Sequence, residues 1–340
     1  TAAFDGNSIK VQQYETRPRN NITGYENITK RTFNMMDRNL GAASAMPASK
    51  TAEEVIKTYG LIYQFGRKDP FPGAGEMINA DQAELIPSYD ADGVLVTKQF
   101  FTENNPKYLT NSRAVSAEGT DAAAVRKQLT HVVENPLVYV MSNGADSSAP
   151  GGGSRSFNWI WAAHKNTLPW RASNKLWGSD ILNESNTNFF AAKSVTKTIY
   201  DPCPYGYHVP QHDVWTNFLT TANGYETSTA SEFNVVNEDK VVSTDGQNFM
   251  SPIFKVFGRR FLTTGDMAKS DGSNVAFCPA AGGRFNEKHI DYVGRACLCW
   301  SASPYKNTAG VLYGGATIVS LALTDTGRML GLPVRCVRGN

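Results

Sequence analysis

Cysteine, histidine and carboxylate spacing is where chemistry in this chain would first show. Cys203, Cys278, Cys297, Cys299 and Cys336 all lie in the second half of the sequence. An odd number leaves at least one thiol unpaired within the chain. None stands in a C-x-x-C pair, so zinc ribbons and thioredoxin-type dithiols have no support. On a strand, Cys297 and Cys299 of CLCW would share a face about 6.6 Å apart, near the upper limit for a bridge. They read mainly as buried small hydrophobes. His208 and His212 are four apart with Asp213 adjacent, a metal-like spacing on a helix. Pro210 falls between them and no third ligand is evident, so no metal and no cofactor is expected. DADG at 90–93 resembles the start of a calcium loop without its later glutamate; a hairpin turn is the expectation.

Catalytic signatures are missing as well. The sequence holds no G-x-S-x-G, no H-E-x-x-H, no Walker loop and no G-x-G-x-x-G after a strand. GGGSRS lacks the lysine and the helix a phosphate loop needs. Paired carboxylates for glycoside hydrolysis work through a spatial separation that sequence does not display, so a polysaccharide hydrolase stays as an alternative. Aromatic residues make up 11% of the chain, with six Trp and fourteen Tyr. NWIW alternates, which puts Trp159 and Trp161 on one face, expected to be core. Trp170 follows Pro169 in a polar loop and is the tryptophan best placed for exposure.

The elements that must carry these residues belong to an ordinary globular chain. Its 340 residues are 41% hydrophobic and 19% charged, with a net charge of +2. That length sets a soft prior of roughly two domains, although one elaborated unit can be this long. Scattered Lys and Arg give no footprint for nucleic acid, and no apolar run reaches the roughly 18 residues of a membrane span. Because the chain starts at Thr1 without Met, any signal peptide or upstream domain is expected to have been removed or left out. Residues 1–30 read as a lead-in strand or linker. RTFNMMDRNLGA reads as a strand closed by a turn at Asn39–Gly41. TAEEVIKTYGLIYQFG sets Val55, Ile56, Tyr59, Ile62 and Tyr63 at helical spacing behind a Thr51–Glu54 capping box. Residues 74–155 read as an insertion between two Gly/Pro-rich stretches, with a hairpin turning at Asp92–Gly93 and a short strand at 137–142. A second helix is expected near 216–222, amid short strands broken by Gly, Asn, Asp and Pro. The fold class is therefore α+β with a meandering sheet.

Several phrases resemble one bacterial family in its own order: MDRNLGA at 36–42, GLIYQFGRKDPFPG at 60–73, KTIYDPCPYGYHVPQHDVW at 197–215, CPAAGGRF at 278–285, CWSASPY at 299–305 and LPVRCVRGN at 332–340. Together they resemble the FISUMP, or major paralogous domain, family of surface lipoproteins and fimbria-associated proteins of Bacteroidetes-type gut bacteria. The resemblance implies a C-type-lectin-like unit, of the formylglycine-generating-enzyme-like group, over 31–340: short antiparallel strands, two main helices and long irregular loops. It implies a bridge between Cys203 and Cys336, and core positions for Trp177, Trp215 and Trp300. The calcium-binding triplets of true C-type lectins are absent. The 74–155 insertion and the extra Cys278, Cys297 and Cys299 depart from the pattern.

What the resemblance implies for function is a non-enzymatic, exported module on the outer-membrane surface or at a fimbrial tip. Its partner would be a glycan or a host or partner protein in adhesion, with fimbrial subunits reached through an upstream domain. A surface polysaccharide hydrolase and a structural pilus subunit are the alternatives. In lectin-like folds recognition sits on the irregular loops, here 258–275 and 282–295 beside Trp170. The ligand set is then Trp170, Arg259, Arg284, Asn286, His289, Asp291 and Tyr292, a mix of stacking faces and planar hydrogen-bonding groups. A solvated loop with no ligand is the equal alternative.

Overall fold

The computed structural model describes residues 8–12, 32–49, 52–71, 73, 88–89, 95–96, 122–134, 136, 139, 159, 174–179, 195–212, 214–215, 228–229, 258–262, 275–284, 290–293, 296–305, 308–314, 318–320 and 327–339. In chain order the elements are β1 (Ser8–Gln12), β2 (Thr32–Met36), α1 (Ala52–Ile56), β3 (Ile62–Gln64), β4 (Ser88–Tyr89), β5 (Leu95–Val96), α2 (Ala122–Glu134), β6 (Tyr207–His208), β7 (Ser228–Thr229), β8 (Gly258–Leu262), β9 (Val275–Pro279), β10 (Ala281–Arg284), β11 (Ile290–Val293), β12 (Cys297–Tyr305), β13 (Thr308–Gly314), β14 (Ile318–Ser320), β15 (Gly331–Pro333) and β16 (Val337–Arg338). The fold is mixed, mostly short strands in antiparallel sheets with few helices. Three sheets run β1-β2-β16-β6, β11-β10-β15-β3 and β12-β13-β14-β7, and β4-β5 and β8-β9 form separate pairs.

The lead-in segment is a strand over Ser8–Gln12, pairing with β2 along its whole length. On its other side β2 neighbours β16, through Met35 and Val337. Both ends of the chain thus meet in one sheet. Beyond β2 the chain turns as the sequence suggests, with Ala42 N–H donating to Asn39 O (3.0 Å), and Leu40 N–H ties the turn to Val334 O (2.7 Å). Short β4 and β5 pair on either side of the expected hairpin turn.

The expected long helix is shorter than its periodicity implies. α1 ends at Ile56, and Ile62 and Tyr63 lie on β3 instead. Gly60 ends it: its φ is +75°, and a Cβ there would stand 2.7 Å from Leu40 O. A strand buried along its length is a continuous apolar run, which over a few residues mimics one face of a helix. Of the strand expected at 137–142, only Tyr139 is described, and it lies outside regular structure. The helix expected near 216–222 lies outside the described residues. A helix does form at α2, within the expected insertion. Its Val132, together with Tyr139, packs into the common core, so this end of the insertion belongs to the main body.

β3 and the turn after it form the centre of that core. Trp300 Nε1 donates to Tyr63 O (2.8 Å), Trp159 Nε1 to Phe65 O (2.7 Å) and Trp177 Nε1 to Arg67 O (3.2 Å). Three indoles from distant segments therefore satisfy alternate carbonyls of one short stretch. Gln64 Nε2 (2.8 Å) and Tyr139 Oη (2.6 Å) both donate to Met329 O from the same neighbourhood. Buried backbone acceptors need such partners, and burying large aromatic surface supplies the hydrophobic stabilisation.

Candidate ligand-binding face

The predicted ligand zone maps onto β8, β9, β10 and β11. In β10, Ala281, Gly282 and Gly283 are small and buried, which lets β11 and β15 approach on either side. Gly283 pairs with Asp291, and Arg284 with both Ile290 and Gly331. Of the sequence-derived candidates, Arg284 and Tyr292 are the two whose side chains the structure describes. Arg259 stands on β8 opposite Cys278, and Asp291 on β11, both known here as backbone positions only. Trp170, Asn286 and His289 lie outside the described residues.

Arg284 does not reach the surface. It is 3% exposed, with its guanidinium carbon 3.8 Å from the centre of the Tyr139 ring. Burial lowers its pKa to about 10, opposed by the nearby Tyr139, so it stays a cation at neutral pH. Burial pushes the Tyr139 phenol up in turn. The pattern repeats nearby: Arg67 lies 4.9 Å from the Phe71 ring and Arg328 5.1 Å from Phe65. These guanidinium groups stack on aromatic faces inside the core. Arg284 braces the sheet beneath the face instead of touching a ligand on it.

Tyr292 is different. It sits on edge strand β11 with φ +62°, the one non-glycine residue with positive φ among those described. For a bulky side chain this left-handed backbone costs about 1–3 kcal/mol. Two backbone bonds hold it there: Ala296 N–H donates to Tyr292 O (3.0 Å), and Gly282 N–H to Ala296 O (3.2 Å). The ring is half-buried against the core. Tyr313 is half-buried on β13, where burial raises its phenol pKa and Tyr292 and then Cys297, near enough to be felt electrostatically, add to the rise. Each of these half-buried phenols offers an apolar ring surface and a polar edge. Tyr313 was not singled out from the sequence, where VLYGGAT shows only an alternating strand; its neighbour Tyr292 comes from another sheet.

The other tryptophans with described side chains serve the core: Trp159, Trp177, Trp215 and Trp300 are all buried. Cys278, Cys297 and Cys299 are buried free thiols, whereas Cys203 and Cys336 are joined by a disulfide with Cα atoms 5.9 Å apart. His208 and His212 do not act together. His208 lies on β6 with Nδ1 2.8 Å from Val209 O, and His212 is wholly buried, its backbone N–H donating to Ser303 Oγ (3.0 Å). Among the described residues no three of His, Cys, Asp and Glu converge as metal ligands, and no helix is long and apolar enough to cross a membrane. Set against known proteins, the chain matches no described family, no curated protein and no solved structure.

Proposed function

We propose that this chain is an exported, non-enzymatic surface module of the FISUMP type, with a C-type-lectin-like fold, and that it binds a glycan at the Tyr292–Tyr313 face. The observation that carries the site is the left-handed backbone of Tyr292. A strained aromatic, held by backbone hydrogen bonds at a sheet edge, is a feature that packing alone does not require. Stacking on sugar C–H faces suits half-buried tyrosines, whose rings are already ordered before the ligand arrives. The module reading is supported by the order of the motifs, by the pairing of β2 with β16, and by the Cys203–Cys336 bridge. Adhesion at a cell surface or fimbrial tip follows from the family resemblance.

The test is a glycan array probed with the full chain, its strongest hit then titrated by calorimetry against Tyr292→Ala and Tyr313→Ala. Each variant should weaken binding about tenfold, or about 1.4 kcal/mol. An array without hits overturns the reading of function. Hits whose affinity neither variant moves by more than about twofold overturn the site.

A further inference from the structure

β6, the outer strand of the sheet β1-β2-β16-β6, forms with β16 and the loop leading into β6 a tip that belongs to a different sheet from Tyr292. Tyr205, at this tip, is 90% exposed. Large aromatics on the surface are not unusual singly, but the bracing under this one is. The loop is tied to the last strand by the Cys203–Cys336 bridge. Asp201 accepts from Cys203 N–H (2.8 Å) through one carboxylate oxygen and from Val209 N–H (2.9 Å) through the other. Lys197 Nζ closes an ion pair with Asp201 at 2.9 Å. Tyr207 N–H donates to Pro204 O (3.0 Å), and Gly339 N–H to Gly206 O (2.9 Å). The backbone presenting Tyr205 is therefore fixed in advance, which lowers the entropy cost of holding its ring against a ligand.

The charge at the tip selects the ligand. Arg338 is exposed and its backbone pairs across the strands with Tyr207, one residue from Gly206 and two from Tyr205. Asp201 is the single acid of 195–209 and 336–339, and it is buried and paired with Lys197. The backbone next to Tyr205 is uncrowded, since among the described residues a Cβ built on Gly206 meets nothing within 4 Å beyond its chain neighbours. An exposed ring and an exposed guanidinium carried on adjoining backbone, with no exposed carboxylate in the same stretches, match a sugar that carries a carboxylate. The ring stacks on the C–H face and the planar fork takes the carboxylate through two hydrogen bonds. We infer that the Tyr205–Arg338 tip is a second binding site, for acidic saccharides of the uronic-acid class. It does not depend on the Tyr292 face.

The experiment titrates the full chain with polygalacturonate by calorimetry, with neutral dextran as control, and repeats the titration on variants. Binding to polygalacturonate and not to dextran is expected. Tyr205→Ala and Arg338→Gln should each weaken it at least tenfold, Arg338→Lys by an intermediate factor, and Tyr292→Ala by less than twofold. Both tip residues are exposed, so unchanged thermal unfolding verifies that the variants fold. Three results overturn the inference: no binding of polygalacturonate, equal binding of dextran, or a Tyr205→Ala variant that binds like the original. The last would leave plain attraction of a polyanion to a positive surface. Failure here leaves the Tyr292 reading standing, because that is decided by Tyr292→Ala against the array hit.

Discussion

Arg284 and Tyr292 both come from turn-rich sequence, yet one lies in the core and the other near the surface under strain. The difference is a partner that local sequence does not reveal. Tyr139, far away in the chain, gives the Arg284 guanidinium an aromatic face to lie on, and a long side chain in a polar-looking segment follows that partner inward. Tryptophan positions were more legible. Alternation in NWIW and the family phrases pointed to core for Trp159, Trp177, Trp215 and Trp300, since one buried face repeats over short distances. That three indoles serve consecutive odd carbonyls of 63–67 was not legible, because it depends on how four segments converge. The strain at Tyr292 yields a prediction at this scale. Glycine normally costs about 0.5–1 kcal/mol relative to alanine in a strand, but with φ +62° the order reverses. Tyr292→Gly should therefore be more stable than Tyr292→Ala by about 1 kcal/mol in urea titration. If alanine is equal or better, the backbone there is not left-handed and the strain argument for the site falls.

Among elements, the turn 174–178 and the stretch after Val195 act as one unit. Gly178 has φ +83°, and a Cβ on it would come within 1.8 Å of Thr196 O, while Thr196 N–H donates to Gly178 O (2.9 Å). Gly178→Ala adds a backbone collision to a left-handed penalty and should cost at least about 3 kcal/mol, read as a drop in the urea midpoint; a loss under about 1 kcal/mol would mean the two stretches do not touch this way. The short β6 carries a pH dependence. Burial lowers the pKa of His208 below its ordinary 6.5, against weaker raising effects from Val209 O and Asp201. The folded state thus favours the neutral ring, so its contribution is present above pH 6.5 and is lost as pH falls through the lowered value. Urea midpoints followed from pH 7.5 downward should fall less steeply below pH 6.5 for His208→Gln than for the original chain. Parallel curves would show that His208 is not held neutral. Element types followed from sequence where turn chemistry was explicit, as at Asn39–Gly41 and in the pairing of β4 with β5, while the Asp92–Gly93 turn itself lies outside the described residues. They failed where a buried strand, β3, copied a helical stripe, and where the polar face of α2 concealed its helix within apparent insertion sequence.

Across the whole molecule, closure of the chain on itself is the organising feature. The lead-in strand β1 pairs with β2, β2 with β16 and β16 with β6, so residues from both ends and the middle share one sheet. Sequence motifs placed these segments in order, and the resemblance supplied the bridge between Cys203 and Cys336; cysteine spacing alone left the pairing open. That bridge spans 133 residues. In the chain-entropy description a loop of that length removes about 5 kcal/mol worth of freedom from the unfolded chain, less any strain in the folded one. The closed loop contains the Tyr205 loop, β8 to β15 and the whole Tyr292 face, so unlocking it loosens every element that carries a proposed site. The strands it joins are short, with β16 and β6 pairing through two residues each, and hydrogen bonds of that number contribute only about 1 kcal/mol apiece. The disulfide should therefore be the larger part of what fixes this tip. Cys203→Ala with Cys336→Ala, or reduction of the original chain, should lower stability by about 2–5 kcal/mol in urea titration. Alkylation without reductant, read by mass, should modify at most Cys278, Cys297 and Cys299 in the unfolded oxidised chain. Modification of all five cysteines, or a double variant within about 1 kcal/mol of the original, would show that the sheet closes the chain without the bridge.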